Sequence, residues 1–330
     1  MTLESKGNIY MNRRGMIVLT ASVAFLGTGV TAAAQDYPTR PIRVIVPEVV
    51  GSAADLMARI IGQRIGEAFG QPVTYENLFL EVGVEKAIKA APDGYTLMYA
   101  SSGNVALLPH VKKVSFDPLK DLTPVGRFVI QPTLIATNPA LPVRNLQELV
   151  AMMKANPGKL RMSTAGAGTG GHFAGEMFIA QAGIKPEVVH YNGGGPAIEA
   201  VVNNDSQWTV APIGGRMPHV KSGKLKAIAM GSPSRLRLLP DVPTVIESGY
   251  PGYDATGWGA IFVPNGTPQP IIDKLNATMA RVVTLPEVKA QFEEQGAEAA
   301  SSSQAEMAKL LQEDFARFDR LATSIGLKVK

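Results

Sequence analysis

Glycine-rich turns recur in this chain, each between an apolar segment and an amphipathic one. They occupy residues 47–55, 101–104, 163–172 and 191–196. A turn that ends a strand and opens a helix is typical of an α/β fold, and here it predicts mostly parallel sheets. Ligands bind beyond the carboxyl ends of such strands, where helix N-termini attract anions. The turns therefore predict an anion site built from several strand–helix connections.

Between the turns, short apolar strands alternate with helices whose apolar residues recur at helical spacing. A chain of 330 residues is also long enough for two lobes with separate cores. The predicted strands are residues 42–46, 73–76, 96–99, 188–191, 208–211 and 227–230. The predicted helices are residues 53–69, 85–91, 146–155, 172–182, 197–203, 271–283 and 287–295, with a last helix that begins at Ser303 in a Ser-x-x-Glu capping box.

The longest glycine turn, within residues 163–176, has three interpretations. Gly166, Gly168 and Gly171 match the dinucleotide fingerprint Gly-x-Gly-x-x-Gly. However, residues 159–162 make a poor buried strand, and Glu187 precedes the next strand instead of ending it. These two departures disfavour a nucleotide cofactor. A cradle for an anion and a purely structural turn both remain open.

The N-terminus predicts export. Arg13 and Arg14 precede the apolar run 16–26, and the small residues that follow end at Ala34. A basic segment, an apolar segment and an Ala-x-Ala site are typical of a secretory signal peptide. The apolar run is too short to span a membrane comfortably. We therefore expect residues 1–34 to be removed near Ala34, which leaves an exported, soluble protein.

Composition excludes several classes of function. The net charge is +4, and it falls to +2 without residues 1–34, while no basic run suggests nucleic-acid binding. The chain has no cysteine, which excludes thiol catalysis and cysteine metal ligands. Its four histidines lack metal-ligand spacing, and neither Gly-x-Ser-x-Gly nor His-Glu-x-x-His occurs. We expect a protein that is not an enzyme and has no metal or cofactor; an exported hydrolase is the disfavoured alternative.

Several segments, taken in order, resemble a known family. The chain is similar to the periplasmic solute-binding proteins of tripartite tricarboxylate transporters, often called the Bug family. The segments that carry the resemblance are YPTRPIRVIVP (37–47), APDGYT (91–96), FDPLKDLTP (116–124), PHVKSGKLKA (218–227), LPDVPTV (239–245) and PNGTP (264–268).

The resemblance implies a two-lobed α/β fold that closes on its ligand like a flytrap. The first lobe would hold residues 35–137 and 257–330, and the second residues 138–256. The ligand would be a small organic carboxylate, captured in the periplasm by a monomeric receptor and delivered to a membrane permease. An exported ligand sensor of the same fold is the main alternative. The ligand-contacting loops of the family map onto residues 50–55, 101–104, 165–172 and 191–195.

The chain departs from the family pattern in three places. Residues 78–83 replace a glycine-rich loop, and Ala211 and Pro212 stand where an aspartate is common. Glu48 stands where an aromatic or apolar residue is usual. These departures lie in or near the ligand loops, so they predict a ligand that differs from the usual one.

The candidate ligand-binding residues come from the four loops and from two arginines outside them. Several have an alternative role: Ser52 and Thr169 suit helix caps, His172 a structural hydrogen bond, Tyr191 burial in its own lobe and Arg127 an ion pair. The candidates are Gly51, Ser52, Ala53, Ser101, Ser102, Asn104, Arg127, Gly166, Gly168, Thr169, His172, Tyr191, Gly194 and Arg216.

The two arginines lead to a more specific ligand prediction. Arg127 and Arg216 would bind the two negative ends of a dicarboxylate, since a guanidinium pairs with a carboxylate through two parallel hydrogen bonds. Phe79 and Leu80 would supply an apolar wall that leaves room for an aromatic diacid as well as an aliphatic one. We therefore predict a dicarboxylate ligand.

Overall fold

The computed structural model describes residues 37–329, in which the strands form one six-stranded and one five-stranded sheet. The predicted signal peptide lies outside the described residues. The first sheet contains β1 (Ile42–Val46), β2 (Val73–Asn77), β3 (Thr96–Ser101), β4 (Leu122–Gln131), β10 (Gly257–Pro264) and β11 (Glu298–Ala299). The second contains β5 (Thr133–Thr137), β6 (Arg161–Thr164), β7 (Glu187–His190), β8 (Trp208–Pro212) and β9 (Lys226–Met230).

Both sheets are mixed, so the prediction of mostly parallel sheets is wrong. The strand order is β11-β4-β10-β3-β1-β2 in the first sheet and β7-β6-β8-β5-β9 in the second. β1 pairs in parallel with β2 and β3, and β6 with β7 and β8. The strands that carry the chain between the sheets, β4, β5 and β10, pair antiparallel with their neighbours. The strand–helix turns therefore predicted only the parallel part of each sheet.

The chain passes between the two sheets at Pro132 and returns before Gly257. β4 ends at Gln131 and β5 begins at Thr133 in the second sheet. The predicted lobe boundary, Thr137, is the last residue of β5. This strand belongs to the second sheet, because it pairs with β8 and β9 and not with β4. The bounds of the two lobes stay a prediction.

Helices cover both sheets. Residues 53–69 and 146–155 are helical over the predicted bounds, and the reciprocal Ser303–Glu306 hydrogen bonds cap the last helix as expected. A π-helical turn, Ser102–Leu107, and a 3-10 turn, Gly214–Arg216, follow β3 and β8. The α-helices are Ala53–Phe69, Glu81–Ile88, Leu108–Val111, Pro118–Asp121, Leu146–Ala155, Gly170–Ala182, Gly194–Val202, Met217–Lys221, Gln269–Val282, Pro286–Glu294 and Gln304–Ser324.

Each sheet has its own apolar core. In the first lobe, Met98, Trp258 and Phe262 pack with Met307 of the last helix. In the second, Trp208 and Phe178 anchor a separate cluster, in which their rings meet edge to face. Two cores joined by two chain crossings make a two-lobed molecule, and the space between the lobes is the natural place for a ligand.

Candidate functional site

A cavity of about 330 Å³ lies between the lobes, at the carboxyl ends of β1, β3, β6 and β8. All four glycine-rich turns, where the sequence predicts an anion site, contribute to its wall. Ligand contact by individual residues stays a prediction. The predicted residues that line the cavity are Gly51, Ser52, Ala53, Ser101, Ser102, Asn104, Thr169, Gly194 and Arg216.

Asp55 stabilises the first turn through its side chain. Its buried carboxylate accepts hydrogen bonds from the Gly51 N–H at 2.9 Å, from Arg59 Nε at 3.0 Å and from Asn77 Nδ2 at 2.9 Å. Ser52 Oγ in turn accepts from the Asp55 N–H and caps the helix Ala53–Phe69. Burial alone would raise the pKa of Asp55, but these hydrogen bonds hold it below its usual range.

We expect Asp55→Ala to lower the free energy of unfolding by about 3 kcal/mol at pH 7, because it removes a buried carboxylate that accepts hydrogen bonds from Gly51, Arg59 and Asn77. Since the pKa of Asp55 is depressed in the folded state, this contribution is full above the ordinary aspartate pKa. It is lost as the pH falls toward the folded-state value. Urea unfolding of wild type and variant across this range measures it. The surface variant Glu67→Ala is the control, and equal stability of the two variants would contradict the role of Asp55.

The second turn presents an amide donor to the cavity. Ser101 Oγ accepts from the Asn104 N–H at 3.3 Å, while Asn104 Oδ1 accepts from the Ser101 N–H at 2.9 Å. This reciprocal pair fixes the Asn104 side chain, which is buried and lines the cavity. Its Nδ2 has no hydrogen-bond partner among the described residues. An orientated amide of this kind suits a ligand oxygen.

The third turn has both a structural part and a cavity part. Gly166 and Gly168 have positive φ, and the Gly168 N–H donates to His172 Nδ1 at 3.2 Å. Thr169 Oγ1 accepts from the His172 N–H and caps its helix while it also lines the cavity. The structure places Gly166, Gly168 and His172 outside the cavity wall, because their polar groups close the turn on itself. These three residues therefore have a structural role in the turn, whereas Ala165 and Thr169 belong to the cavity wall.

His172 packs against His190, with the two rings edge to face and their centroids 4.7 Å apart. Burial, with a smaller effect from His190, lowers the pKa of His172 to about 4. Burial also lowers the pKa of His190 and raises that of Glu176, whose carboxyl lies 3.7 Å from His172 Nε2. At neutral pH both rings are therefore uncharged. The pair is a structural element beneath the glycine turn.

Acid should weaken this element. A base with a depressed folded-state pKa stabilises the fold fully above its unfolded pKa, and this stabilisation is lost as the pH falls toward the folded value. For His172 the window runs from about pH 6.5 down to about pH 4. Over it we expect wild type to lose about 2 kcal/mol relative to His172→Asn. Chemical unfolding at both pH values measures this, and parallel curves for the two proteins would contradict it.

The fourth turn contributes Gly194 and Gly195 to the cavity wall. Tyr191 lies outside this wall: its hydroxyl shares a hydrogen bond with Ser206 Oγ at 3.3 Å, within its own lobe. Tyr191 is half-buried, and this hydrogen bond holds its side chain within its own lobe.

Arg216 is the buried cation of the cavity wall. It follows β8, and only 4% of its surface is exposed. Its Nη1 donates to the Pro212 carbonyl at 3.1 Å and its Nη2 to Thr209 Oγ1 at 3.4 Å, whereas Nε has no partner. No ion pair of Arg216 is found within residues 37–329. Burial lowers the pKa of Arg216 to about 10, so the guanidinium keeps its charge at neutral pH.

Arg127, the second predicted cation, lies outside the cavity wall. Its backbone N–H donates to Ser302 Oγ at 2.9 Å, and its charge helps to lower the pKa of Glu306 at the start of the last helix. The residue pairs with Ala260 within β4, four positions before the strand ends at the cavity. The predicted clamp of two arginines is therefore not formed by Arg127 and Arg216.

Sequence reasoning missed other residues of the wall. Glu48 was noted only as a departure from the family pattern, and Phe318 of the last helix also lines the cavity. Leu80 lines the cavity as expected, whereas Phe79 does not and is 40% exposed. The polar run 254–257 before a buried strand was an unused signal. The other missed residues with polar side chains are Tyr99, Gln131, Thr133, Glu199, His219, Asp254, Thr256 and Arg317.

Within residues 37–329, no group of three or more His, Cys, Asp or Glu side chains could hold a metal ion. In the same range no helix is long and apolar enough to cross a membrane.

Comparisons with known proteins agree with this architecture. A family model described as the tripartite tricarboxylate transporter family receptor matches residues 57–327. Protein BugT of Bordetella pertussis is 30% identical over 325 residues, which cover 96% of this chain and 99% of BugT.

Solved structures of two proteins from Rhodopseudomonas palustris are similar in fold. Rpa4515 with adipate is 28% identical with a TM-score of 0.85, over 88% of this chain and 99% of that one. MatC with bound malate is 29% identical with a TM-score of 0.80, over 86% and 99% respectively. The two lobes with a cleft between them are thus the periplasmic-binding-protein fold that the sequence predicted. Because the family match spans most of its length, this chain belongs to the family of periplasmic receptors of tripartite tricarboxylate transporters.

Proposed function

We propose that this receptor binds an organic carboxylate between its lobes and delivers it, chemically unchanged, to a membrane permease. The supporting observation is a set of buried donors without acceptors in the described part of the chain: Asn104 Nδ2, Arg216 Nε and Arg317 Nε. All three residues line the cavity. Buried polar groups are almost always paired, so unpaired donors around one cavity favour a ligand that supplies acceptors. An ionised carboxylate only accepts hydrogen bonds.

We assign one carboxylate of the ligand to Arg216 because of the charges in the wall. Arg317 also lines the cavity, but its Nη2 pairs with Asp314 at 2.9 Å and its Nη1 donates to the Asp254 carbonyl. A buried guanidinium without a counter-charge gains most from a ligand anion, because the guanidinium has already lost its water on folding and binding adds no further desolvation cost for it. The neighbours with adipate and malate support a dicarboxylate, which we retain as the proposed ligand class.

Isothermal titration calorimetry of the exported protein tests this proposal. We expect binding of adipate or malate, weaker binding of hexanoate, and no binding of the neutral 1,6-hexanediol. Failure of every organic acid to bind would contradict the proposal. Incubation with the acids should return them unchanged, and turnover of any of them would support an enzyme instead.

Delivery to a permease needs a separate test. We expect the ligand-loaded receptor to co-purify with the membrane subunits of the transporter and to support uptake of the labelled acid into cells. Co-purification with a signalling protein, without any uptake, would instead support the sensor alternative.

A further inference from the structure

Glu48 places a carboxyl group in the cavity on the lobe opposite Arg216. It follows β1, and its backbone is fixed at both ends: the N–H donates to the Val46 carbonyl at 2.8 Å, and the carbonyl accepts from Asn77 Nδ2 at 3.1 Å. The side chain lines the cavity. No hydrogen bond or ion pair of this carboxyl is present in the range 37–329. The backbone of Glu48 is therefore fixed, whereas its carboxyl has no partner among the described residues.

Charged and titratable groups near Glu48 do not neutralise it. Tyr99 lies in the same wall; its pKa is raised by burial and then by the charge of Glu48, and its hydroxyl donates to Gln131 Oε1. On the other elements of the wall, Arg317 pairs with Asp314, and Asp254 accepts from the Thr256 N–H. Glu199 and His219 line the second lobe's side with Arg216. Burial without a nearby cation raises the pKa of Glu48 to about 7.

A diacid bound at Arg216 would extend its second carboxylate toward the first lobe, where Glu48 lies. Two ionised carboxylates cannot share a desolvated site, whereas a carboxylic acid and a carboxylate form a strong hydrogen bond through one proton. Since Glu48 takes up a proton near neutral pH even without a ligand, little free energy is needed to supply it.

We propose that Glu48 binds the second carboxylate of a diacid through one shared proton, so that the site selects diacids and takes up a proton with each. This inference rests on the proposed carboxylate function and names the residue that binds the second carboxylate of the ligand. The proton comes from solvent and lies between a Glu48 oxygen and a ligand oxygen, and no covalent bond forms or breaks.

Calorimetry of adipate binding, in two buffers with different ionisation enthalpies, tests the proposal on the wild-type protein. At about pH 8.5, where an isolated Glu48 is ionised, we expect uptake of nearly one proton per adipate and almost none per hexanoate. Adipate affinity should fall about tenfold per pH unit above pH 8. Adipate binding without proton uptake would overturn the proposal, whereas failure of all acids to bind would overturn the carboxylate function itself.

Glu48→Gln mimics the protonated acid and supplies an amide donor. We expect it to abolish proton uptake and to bind adipate at least about tenfold more tightly than wild type above pH 8.5. Glu176→Gln is the matched control, because burial raises the pKa of this carboxyl as well but it lies outside the cavity wall. Uptake that survives Glu48→Gln would assign the proton to another group. Tighter wild-type binding of 6-aminohexanoate than of adipate would show that Glu48 binds an ammonium donor and not a second carboxylate. Either result overturns the proposal.

Discussion

Replacing Arg216 with methionine is expected to lower carboxylate affinity about a hundredfold, or by roughly 3 kcal/mol. Methionine fills a similar volume but removes the buried charge and the Nε donor that lacks a partner. The stability of the unliganded protein should stay within about 1 kcal/mol of wild type, because a buried cation without a counter-charge contributes little to folding. Binding and stability therefore respond differently, which separates a ligand contact from a structural arginine.

Titration calorimetry and urea unfolding of the same preparation measure both quantities. Arg144→Met is the control: this exposed arginine pairs with Glu148, neither residue lines the cavity, and its loss should leave binding unchanged. Arg216→Lys keeps the charge but loses the planar fork, so its affinity should lie between wild type and Arg216→Met. Wild-type affinity in Arg216→Met would show that another group holds the carboxylate.

Gly214→Ala is expected to lower ligand affinity at least about tenfold, because the new methyl group would hold the lobes apart. Gly214 opens the 3-10 turn that carries Arg216. A Cβ at this position would lie 2.9 Å from Ala53 Cβ and 3.2 Å from the Gln295 carbonyl oxygen, both in the first lobe. The contact is between short, stiff groups, so it can be relieved only by movement of one lobe relative to the other.

Gly195→Ala provides a matched control, because it also adds a methyl group to a glycine of the cavity wall but meets no atom within 4 Å. Its affinity should stay close to that of wild type. Small-angle scattering with saturating ligand should show a larger radius of gyration for Gly214→Ala than for Gly195→Ala. Equal affinity and equal radius for the two variants would contradict a tight contact between the lobes at Gly214.

Local patterns predicted the parts of the fold that depend on local physics. The bounds of the helix from Ala53 to Phe69 follow from the Ser52 cap, the apolar spacing and the left-handed Gly70 that ends it. The Ser303–Glu306 capping box opens the last helix for the same reason. In contrast, the helix predicted over 85–91 spans Glu81–Ile88. It begins early because Leu80, just before it, adopts a positive φ that no residue pattern signals.

The sequence predicted the cavity residues that directly follow a strand. It did not predict residues whose position depends on contacts between segments far apart in the chain. The turns after β1, β3, β6 and β7 lie at the wall because each follows a strand of its sheet. Arg127 was misplaced because its position depends on pairing with β10, more than a hundred residues later. Arg317 was missed because only packing of the last helix against Trp258 and Asp254 brings it to the cavity.

The order of strands in the first sheet also has a consequence for how the protein matures. β10 lies between β4 and β3, although it follows the entire second sheet in the chain. The strands of the second sheet are continuous in sequence, so this sheet can form before β10 is available. The first sheet has to wait for its central strand, and non-local pairing of this kind is slow. Arg317 and Phe318 come later still, so a chain truncated before the last helix would keep a folded second lobe without a complete cavity.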